Sequence, residues 1–515
     1  MIVSWVCWGR GVKGSMKIRW IVFSLVFWGI VWAYAPRNFV DFGGDSAQYI
    51  ILAESLAHGT GYHAINSPGA PFYYHYPPVF PMLLAPVVYF FGRNFLLMHL
   101  LIALCGYGAL LVFFRIFRKY SNDLIAFTAM ILTAISAPFV MYLLQYILSD
   151  VVFLLFMALA FFWFSCYIEK ENALNREAGL TVLFSNLAYF TRYAGLTVFL
   201  SFLVMLILSG IRNKKIKSAV IGLGVMVPII LWQIICHLLS PGSVGRYMHQ
   251  FSGIGASLQF FAKAGYDAYY YILNIGIDLF VYTFGLLGDI AGTCFSLLMA
   301  GIAIFGAAAV WRAGKARHFL SYSLIYFILI TVWPFGYGDD RETMRFILPL
   351  APFLCFFIIY GLYELRGKLP IKIHGALFTA CLAVVIFSFV FSLRNFQPWR
   401  HNIGSVAEDF IMAHHWIAKN SHGGEVVLSR KPSVSYFYSG HQAVIYPYTS
   451  DTEEVWRSIV ENRVKYVVVD DIFPQTAQFL VPAVIAHKKN IKPVYITPHT
   501  SVLEVIAGPA KAGGE

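Results

Sequence analysis

Long apolar runs separated by short polar or basic segments occupy the first three quarters of the chain. These runs lie at about 18–35, 94–116, 124–143, 149–168, 178–193, 195–211, 217–239, 291–311, 318–334, 346–365 and 373–393. A helix needs about 20 mostly apolar residues to cross the hydrocarbon core of a bilayer. The pattern therefore predicts a mainly α, polytopic membrane helix bundle of about 11 to 13 spans.

The pattern changes after about residue 393, where short runs rich in β-branched residues replace the long apolar ones. Five of these runs are typical of strands, EVVLSR (425–430), QAVIYP (442–447), KYVVVDD (465–471), KPVYITP (492–498) and SVLEVI (501–506). Helical patterns at about 403–419, 452–462 and 475–488 alternate with them. We therefore predict a membrane domain over 1–393, with an outer loop at 36–93 carrying juxtamembrane helices, and an α/β domain with a partly parallel sheet over 394–515.

Composition excludes an ordinary soluble protein, because 59% of the residues are hydrophobic and only 12% are charged. The formal net charge of +12 could indicate nucleic-acid binding. However, the Lys and Arg residues come in short clusters between apolar runs, which is the distribution that fixes membrane orientation. The 7 cysteines lie in or beside apolar segments and indicate no disulfide framework. The expected partners are membrane lipids and not nucleic acid.

Basic clusters also predict which side of the membrane each segment occupies. Basic residues precede the first run and place the N-terminus in the cytoplasm, Arg10, Lys13, Lys17 and Arg19. The later clusters share that side if 77–92 lies in or re-enters the outer leaflet, and if about 269–290 either does not cross or crosses as part of a compensating pair. The C-terminal domain is then outside the cytoplasmic (inner) membrane.

In this arrangement four polar groups share the outer face: the loop 41–76, QYILSD (145–150), TRYAG (191–195) and GYGDDRETMR (336–345). In the first of them, Asp45, Tyr49 and Leu52 follow helical spacing, and Gly43 and Gly44 allow a sharp turn before the helix. We expect a helix on the membrane surface here. Convergence of polar groups on one side is what an active site at a membrane surface requires.

Each charged residue in these groups has a structural explanation and a functional one. Asp45 and Asp150 are either helix caps or functional carboxylates. Arg192 and Arg345 contravene the usual charge bias of an outer face, so an anionic partner such as phosphate is one explanation. Salt bridges from the arginines to neighbouring acids are the other, with Asp339, Asp340 or Glu342 as partners.

Histidines give a weaker signal. His75 lies between Tyr74 and Tyr76, and a hydrogen-bonding role suits it better than a metal site. His414 and His415 are adjacent in sequence and point in different directions on a helix. Neither set predicts a metal site. The sequence indicates no definite cofactor, and a divalent metal ion stays an open alternative.

Several of these motifs resemble one family. GGDSAQYIILAESLAHGTGY (43–62), followed by YYHYPPVFPMLLAP (73–86) and FFGRN (90–94), resembles the first outer loop of the GT-C glycosyltransferases. The closest resemblance is to protein O-mannosyltransferases and the aminoarabinose transferases of lipid A. LSD (148–150), TRYAGL (191–196) and RFILPLAP (345–352) stand in the order that this family shows. The resemblance covers roughly 19–393, and the C-terminal domain is similar to the tail of many bacterial members.

The resemblance implies an inverting glycosyltransferase that moves a sugar from a polyprenyl-phosphate donor to a protein, lipid or glycan acceptor at the outer face. By the same match, Asp45 is the catalytic base and Asp150 orients the acceptor or the donor sugar. Arg345 and Arg192 hold the departing phosphate. Further substrate-binding residues are expected beside these, Tyr49, His75, Tyr76 and Tyr193.

Two departures from the family pattern are visible. Ser46 follows Asp45 where many relatives carry Asp-Glu, so a second acid is unfilled unless Asp41 supplies it. His75 and Tyr76 stand where aminoarabinose transferases carry a Glu-Lys pair, and a phosphate-binding lysine is therefore missing.

Two other functions stay open. In a transporter or flippase of lipid-linked glycans, the same outer charges would bind without chemistry. A transporter is expected to show internal repeats and polar or broken helices near the bilayer midplane, and the sequence has no such repeat. In an assembly subunit, the α/β domain would bind a partner. The enzymatic interpretation requires Asp45, Arg192 and Arg345 to meet in one outer pocket.

Overall fold

A computed structural model describes residues 14–34, 40–170, 174–208, 214–240, 258–280, 289–332, 340–368, 370–395 and 404–506. The chain separates into two compact units. The helical unit comprises Met1–Ala35, Tyr76–Phe80 and Leu96–Phe396. The mixed unit comprises Pro36–His75, Pro81–Phe95 and Gln397–Glu515.

The helices are labelled in chain order. They are α1 (Gly14–Tyr34), α2 (Asp45–Ala57), α3 (Val79–Phe91), α4 (Phe95–Tyr120), α5 (Asp123–Ala134), α6 (Ala137–Leu144), α7 (Asp150–Tyr167), α8 (Arg176–Thr191), α9 (Leu196–Leu208), α10 (Lys214–Leu239), α11 (Leu258–Phe280), α12 (Asp289–Arg312), α13 (Arg317–Val332), α14 (Asp340–Ile347), α15 (Ala351–Leu365), α16 (Ile371–Asn395), α17 (Ser405–Asn420), α18 (Pro432–Ser439), α19 (Thr452–Glu461) and α20 (Val481–Ala486). The strands are β1 (Val426–Leu428), β2 (Ala443–Val444), β3 (Val464–Asp470), β4 (Ile491–Ile496) and β5 (Thr500–Val505).

Each predicted apolar run coincides with a helix or a broken helix, so the predicted fold class is confirmed. Among the described helices, 5 are long and apolar enough to cross a membrane, and up to 6 if α5 and α6, which meet at a bend of 54°, form one span. Other apolar helices are shorter, among them α3, α9, α13 and α15. The chain is a multi-pass membrane protein, and the total of 11 to 13 crossings stays a prediction.

Two segments that the predicted topology requires not to cross the membrane singly include helices. Pro77–Gly92 contains α3, whose 13 residues extend only about 20 Å. That length is too short for a perpendicular crossing, and its place in the outer leaflet stays a prediction. The segment 269–290 includes the end of α11, and its residues 281–288 lie outside the described part of the chain.

Aromatic rings form the centre of the helical unit. Phe161 of α7, Phe319 of α13 and Phe353 of α15 contact one another, with centroid distances of 5.0, 5.2 and 6.1 Å. All three are fully buried. Because rings at these distances interlock in edge-on or tilted geometry, they fix α7 and α15 against each other. Asp150 is the first residue of α7, and Arg345 lies shortly before the start of α15.

Helices α12 and α15 cross closely through two glycines. A Cβ atom added to Gly306 would lie 1.9 Å from the carbonyl oxygen of Phe357, and one added to Gly361 would lie 2.5 Å from that of Ile302. Small residues permit such an approach between membrane helices. The crossing therefore depends on both glycines.

Gly306→Ala is expected to lower the stability of the purified protein by about 1 to 3 kcal/mol, since the added methyl forces the two helices apart. The loss is measured as a lower melting temperature in detergent, read from the fraction of protein that stays monodisperse after heating. Gly301→Ala is the matched control, because a Cβ at this position of the same helix meets no atom within 4 Å. Equal melting temperatures for the two variants would contradict the close crossing.

The mixed unit contains a five-stranded sheet of order β2-β1-β3-β5-β4. β1 pairs in parallel with β2 and β3, whereas β5 pairs antiparallel with β3 and β4. Its core includes Leu428, Val467 and Leu503 from the sheet and Val455 and Ile459 from α19. All five predicted strands are present, and the partly parallel sheet is confirmed.

One helix of this unit, α18, was not predicted. Its sequence PSVSYFYS mixes serine and aromatic residues and has no clear apolar stripe at helical spacing. The two boundary signals are nevertheless present. Pro432 occupies the first turn, and Gly440 ends the helix with φ +74°.

Burial displaces the pKa values of two groups in the mixed unit in opposite directions. Burial raises the pKa of Asp470 from 3.8 to about 6, although its carboxylate accepts hydrogen bonds from Ile472, Phe473 and Thr476. Burial lowers the pKa of His414 from 6.5 to about 4. Asp470 stabilises the fold fully below pH 3.8, and this contribution is lost as the pH rises through about 6. His414 stabilises it fully above pH 6.5, and this contribution is lost as the pH falls through about 4.

The two contributions oppose each other in mildly acidic solution, so their sum changes little with pH in the wild type. Asp470→Asn keeps an oxygen that accepts from the Ile472 and Phe473 amides, and it removes the contribution of the carboxyl group to the pH dependence. We expect the free energy of unfolding of the mixed unit to fall by about 3 kcal/mol between about pH 7 and pH 4 in this variant. Hydrogen exchange of β3 amides in the full chain measures it. Asp471→Asn, at a carboxylate that is 66% exposed, is the control. A variant as insensitive to pH as the wild type would contradict the prediction.

Candidate active site

Three predicted site residues meet in the helical unit. Arg192 Nη1 lies 2.5 Å from Asp150 Oδ1, and Arg345 Nε lies 3.2 Å from the same oxygen. The Asp150 side chain is 2% exposed, whereas those of Arg192 and Arg345 are 17% and 22% exposed. One buried carboxylate therefore holds two arginines that come from different parts of the sequence and still reach solvent.

Local sequence places each of the three groups. Asp150 is the first residue of α7, where the positive end of the helix stabilises a carboxylate. Helix α8 ends at Thr191, and Arg192 has an extended backbone with φ −149°. The chain then turns back against the end of α8, and only glycine fits at position 195. A Cβ on Gly195 would lie 2.5 Å from the Tyr189 nitrogen. Arg345 lies in the last turn of α14.

The cluster carries more positive than negative charge. Two guanidinium groups and one carboxylate sum to a net charge of +1 (2 − 1), if all three are ionised. Asp150 Oδ2 is buried and has no hydrogen-bond partner within the described ranges. An excess of guanidinium charge, partly exposed in a low-dielectric setting, is suited to binding an anion such as a phosphate monoester.

The observed ion pairs change the interpretation of the arginines and of Asp150. Asp339 lies outside the described residues, as do the side chains of Asp340 and Glu342, which were the expected partners in the structural explanation. The observed partner of both arginines is Asp150. Spacing alone could not reveal this pairing, because Arg345 is 195 residues from Asp150 in the sequence.

Two tyrosines beside this cluster were missed. Tyr142 of α6 and Tyr326 of α13 interact electrostatically with Asp150, Arg192 and Arg345, and both side chains are buried. Tyrosines within apolar helices give no pattern that separates a site residue from a core residue. They add two hydroxyl groups to the polar environment of the cluster.

The opposite end of α7 is basic. Lys119 Nζ donates to the Ser165 carbonyl at 2.7 Å, and Lys217 Nζ donates to the Tyr167 carbonyl at 3.3 Å. Lysines near a helix C-terminus satisfy its last carbonyl groups. Asp150 and these lysines therefore mark opposite ends of a helix of 18 residues. The positive-inside rule predicts that the lysine end of α7 faces the cytoplasm.

The other carboxylate, Asp45, belongs to the mixed unit. It is the first residue of α2, and the N-cap position is occupied by Gly44, with φ 91°. The predicted helix and its sharp glycine turn are therefore present. Asp45 is half-buried and lies at the positive end of the helix, where a carboxylate is stabilised.

Helix α2 is buried on all sides, from Ser46 to Ser55, although the sequence predicts a helix on the membrane surface. Several of its buried polar side chains have polar partners, which makes their burial tolerable. Gln48 and Asn66 exchange amide hydrogen bonds at 3.2 and 3.4 Å, and the Ser55 hydroxyl donates to the Gly61 carbonyl at 2.8 Å.

The remaining predicted residues have varied surroundings. Tyr193 follows Arg192, and its hydroxyl accepts a hydrogen bond from Trp232 Nε1 at 3.5 Å. The ring of His75 contacts Tyr74 at a centroid distance of 4.2 Å. Tyr49 is buried, and Tyr76 is half-buried. Where side chains are described, no group of three His, Cys, Asp or Glu residues could hold a metal ion.

Comparisons with known proteins show which family and which folds this chain resembles. The sequence profile of the family described as dolichyl-phosphate-mannose-protein mannosyltransferase matches residues 75–239, which include Asp150 and Arg192. No curated protein sequence matches the chain significantly.

Solved structures share the fold at low sequence identity. The crystal structure of ArnT from Cupriavidus metallidurans bound to undecaprenyl phosphate aligns with a TM-score of 0.59 and 13% identity, covering 97% of this chain and 100% of that one. Its apo state aligns with a TM-score of 0.62 and 13% identity, covering 96% and 99%. The oligosaccharyltransferase of Archaeoglobus fulgidus, tethered to an acceptor peptide containing the NVT sequon, aligns with a TM-score of 0.58 and 12% identity, covering 97% and 75%.

Proposed function

Since this chain is a multi-pass membrane protein with the GT-C glycosyltransferase fold, we propose that it transfers a sugar from a polyprenyl-phosphate donor to an acceptor. The transfer inverts the anomeric carbon and takes place at the outer face of the cytoplasmic membrane. The acceptor is a protein, a lipid or a glycan. The cluster of Arg192 and Arg345 on Asp150 is the observation that carries the proposal.

The chemistry assigns a role to each group. An acceptor hydroxyl or amine attacks the anomeric carbon, the bond from that carbon to the phosphate oxygen breaks, and the polyprenyl phosphate leaves. Charge develops on the phosphate as the bond breaks, so guanidinium groups placed there stabilise the transition state. Arg192 and Arg345 are proposed to do so, with Tyr193 beside them. The solved ArnT structure with bound undecaprenyl phosphate supports a lipid phosphate as the leaving group.

Asp45 is the proposed base. It takes the proton that the acceptor loses as the new bond to the sugar forms. Asp150 holds both arginines in place, and its second oxygen is proposed to orient a sugar hydroxyl. Tyr49, His75 and Tyr76 are proposed to contact the substrates. The basic residues at the far end of α7 support an outer location for the cluster.

The test uses the full chain in detergent with a panel of undecaprenyl-phosphate sugars that includes mannose and aminoarabinose. Membrane lipids and envelope proteins of the source cell serve as acceptors. At least one donor is expected to be consumed with release of undecaprenyl phosphate, and the product should have the opposite anomeric configuration by NMR. Movement of intact lipid-linked sugar across reconstituted vesicles, with no donor consumed, would instead establish a transporter.

A further inference from the structure

The turn before Asp45 fixes the direction in which that side chain leaves the backbone. Gly44 has φ +91°, a backbone conformation that residues other than glycine rarely adopt. Its carbonyl accepts the first helical hydrogen bond, from the Gln48 amide at 3.0 Å. Any movement of the Gly43 and Gly44 peptides would therefore move Asp45.

Helix α18 and the residue before it contact this turn directly. Lys431 Nζ donates a hydrogen bond to the Gly43 carbonyl at 2.7 Å, and the Ser433 hydroxyl donates to the Gly44 carbonyl at 3.0 Å. These are the two carbonyl groups that immediately precede Asp45. A Cβ added to Gly44 would lie 3.1 Å from Ser433 Oγ, so the turn also fits closely against α18.

A second group of contacts joins the same helix to the far end of α2. Arg93 forms a bidentate ion pair with Glu54, which is 10% exposed. The same guanidinium donates to the Phe437 carbonyl and lies 4.3 Å from the centre of the Phe437 ring. Helix α18 is therefore joined to α2 at both ends, and a bidentate pair of this kind fixes geometry as well as adding energy.

The residues before the turn are held by the same unit. The Val40 amide donates to the Tyr438 hydroxyl at 3.4 Å, and the Phe42 ring contacts Phe410 of α17 edge-on at 5.4 Å. Residues 40–44 thus contact α17 and α18, which lie nearly 400 residues later in the sequence. A loop that only joined two segments would need no such set of side-chain donors.

We propose that Lys431 and Ser433 are positioning residues that hold Asp45 in its reactive direction, which gives the C-terminal α/β segment a role in the reaction. This inference rests on the proposed function. A catalytic group displaced by about 1 Å can lose about 10²-fold in rate. Two hydrogen bonds to the peptides before the base are placed to prevent such a displacement.

The experiment compares Lys431→Met, Ser433→Ala and the double variant in the full chain, with whichever undecaprenyl-phosphate sugar the wild type consumes. The double variant is expected to lower kcat by about 10- to 100-fold with the donor KM within about twofold. Ser433→Thr and Lys431→Arg, which retain the donors, are expected to restore most of kcat. Hydrogen exchange in the double variant should rise in the first turn of α2 and not in its last turn.

Lys419→Met is the matched control, because Lys419 is an exposed lysine in the last turn of α17. Full kcat in the double variant, with Asp45→Asn inactive, would overturn the positioning role and leave the proposed function intact. Activity in Asp45→Asn would overturn the base assignment itself. A parallel loss of kcat, donor affinity and thermal stability would show a purely structural contact and also overturn the inference. If the double variant does not fold, Ser433→Ala alone decides by the same kcat and KM criteria.

Discussion

Replacement of Asp45 by Asn is expected to abolish sugar transfer while donor binding persists. Asn has nearly the same shape and is well tolerated at the start of a helix, so α2 should be retained. The amide cannot accept the acceptor proton, and loss of a general base lowers kcat by about 10² to 10⁴-fold. Turnover of the donor gives kcat. Binding of undecaprenyl phosphate to the purified variant shows whether the donor site is intact.

The matched control is Asp123→Asn. Asp123 is also the first residue of a helix, and its carboxylate is also half-exposed. It pairs, however, with Arg118 at 2.6 Å, beside the basic end of α4. Its replacement should leave kcat unchanged. Asp41→Asn tests whether this neighbouring acid serves as the second carboxylate that many relatives carry. Normal turnover by the Asp45 variant would remove Asp45 from the role of base.

Membrane helices were the most predictable part of the fold. A run of apolar residues has no stable state in a bilayer other than a helix, because its backbone must satisfy its own hydrogen bonds. The predicted run at 149–168 accordingly corresponds to α7 almost to the residue. The strands were predictable because β-branched residues fill a buried sheet in short runs, as in β3.

Tertiary contacts decided what the sequence could not reveal. Helix α18 has weak periodicity, and its packing against α2 stabilises it in place of an apolar stripe. The burial of α2 depends on partners such as Asn66 and Arg93, which lie in separate loops. No local pattern predicts such pairings.

The three charged residues of the cluster were predictable from the sequence, but their pairing was not. An arginine on the predicted outer side of a membrane protein is unusual, and this makes both Arg192 and Arg345 recognisable in the sequence. Their joint contact with Asp150 depends on how α7, α8 and α14 pack. The tyrosines Tyr142 and Tyr326 could not be distinguished from core residues in the sequence.

Arg345→Ala is expected to weaken the binding of undecaprenyl phosphate by about 10- to 100-fold, because hydrogen bonds to a charged group contribute about 1.5 to 3 kcal/mol. Binding of the acceptor should change far less. The charge of the cluster falls from +1 to 0 in this variant (1 − 1), so the loss should shrink at high salt. Titration of undecaprenyl phosphate at low and high salt measures both effects.

Asp150→Asn added to Arg345→Ala separates a phosphate-binding role from a structural one. The double variant has a cluster charge of +1 again, from Arg192 alone, and no buried carboxylate that needs a second partner. If Arg345 only neutralises Asp150, stability and phosphate affinity should both return to wild-type values. If Arg345 holds the phosphate, stability should return while affinity recovers only in part, because one guanidinium cannot replace the hydrogen bonds of two. Arg118→Ala, which breaks the Arg118–Asp123 pair, should leave affinity unchanged. Equal weakening of donor and acceptor by Arg345→Ala would contradict the phosphate role.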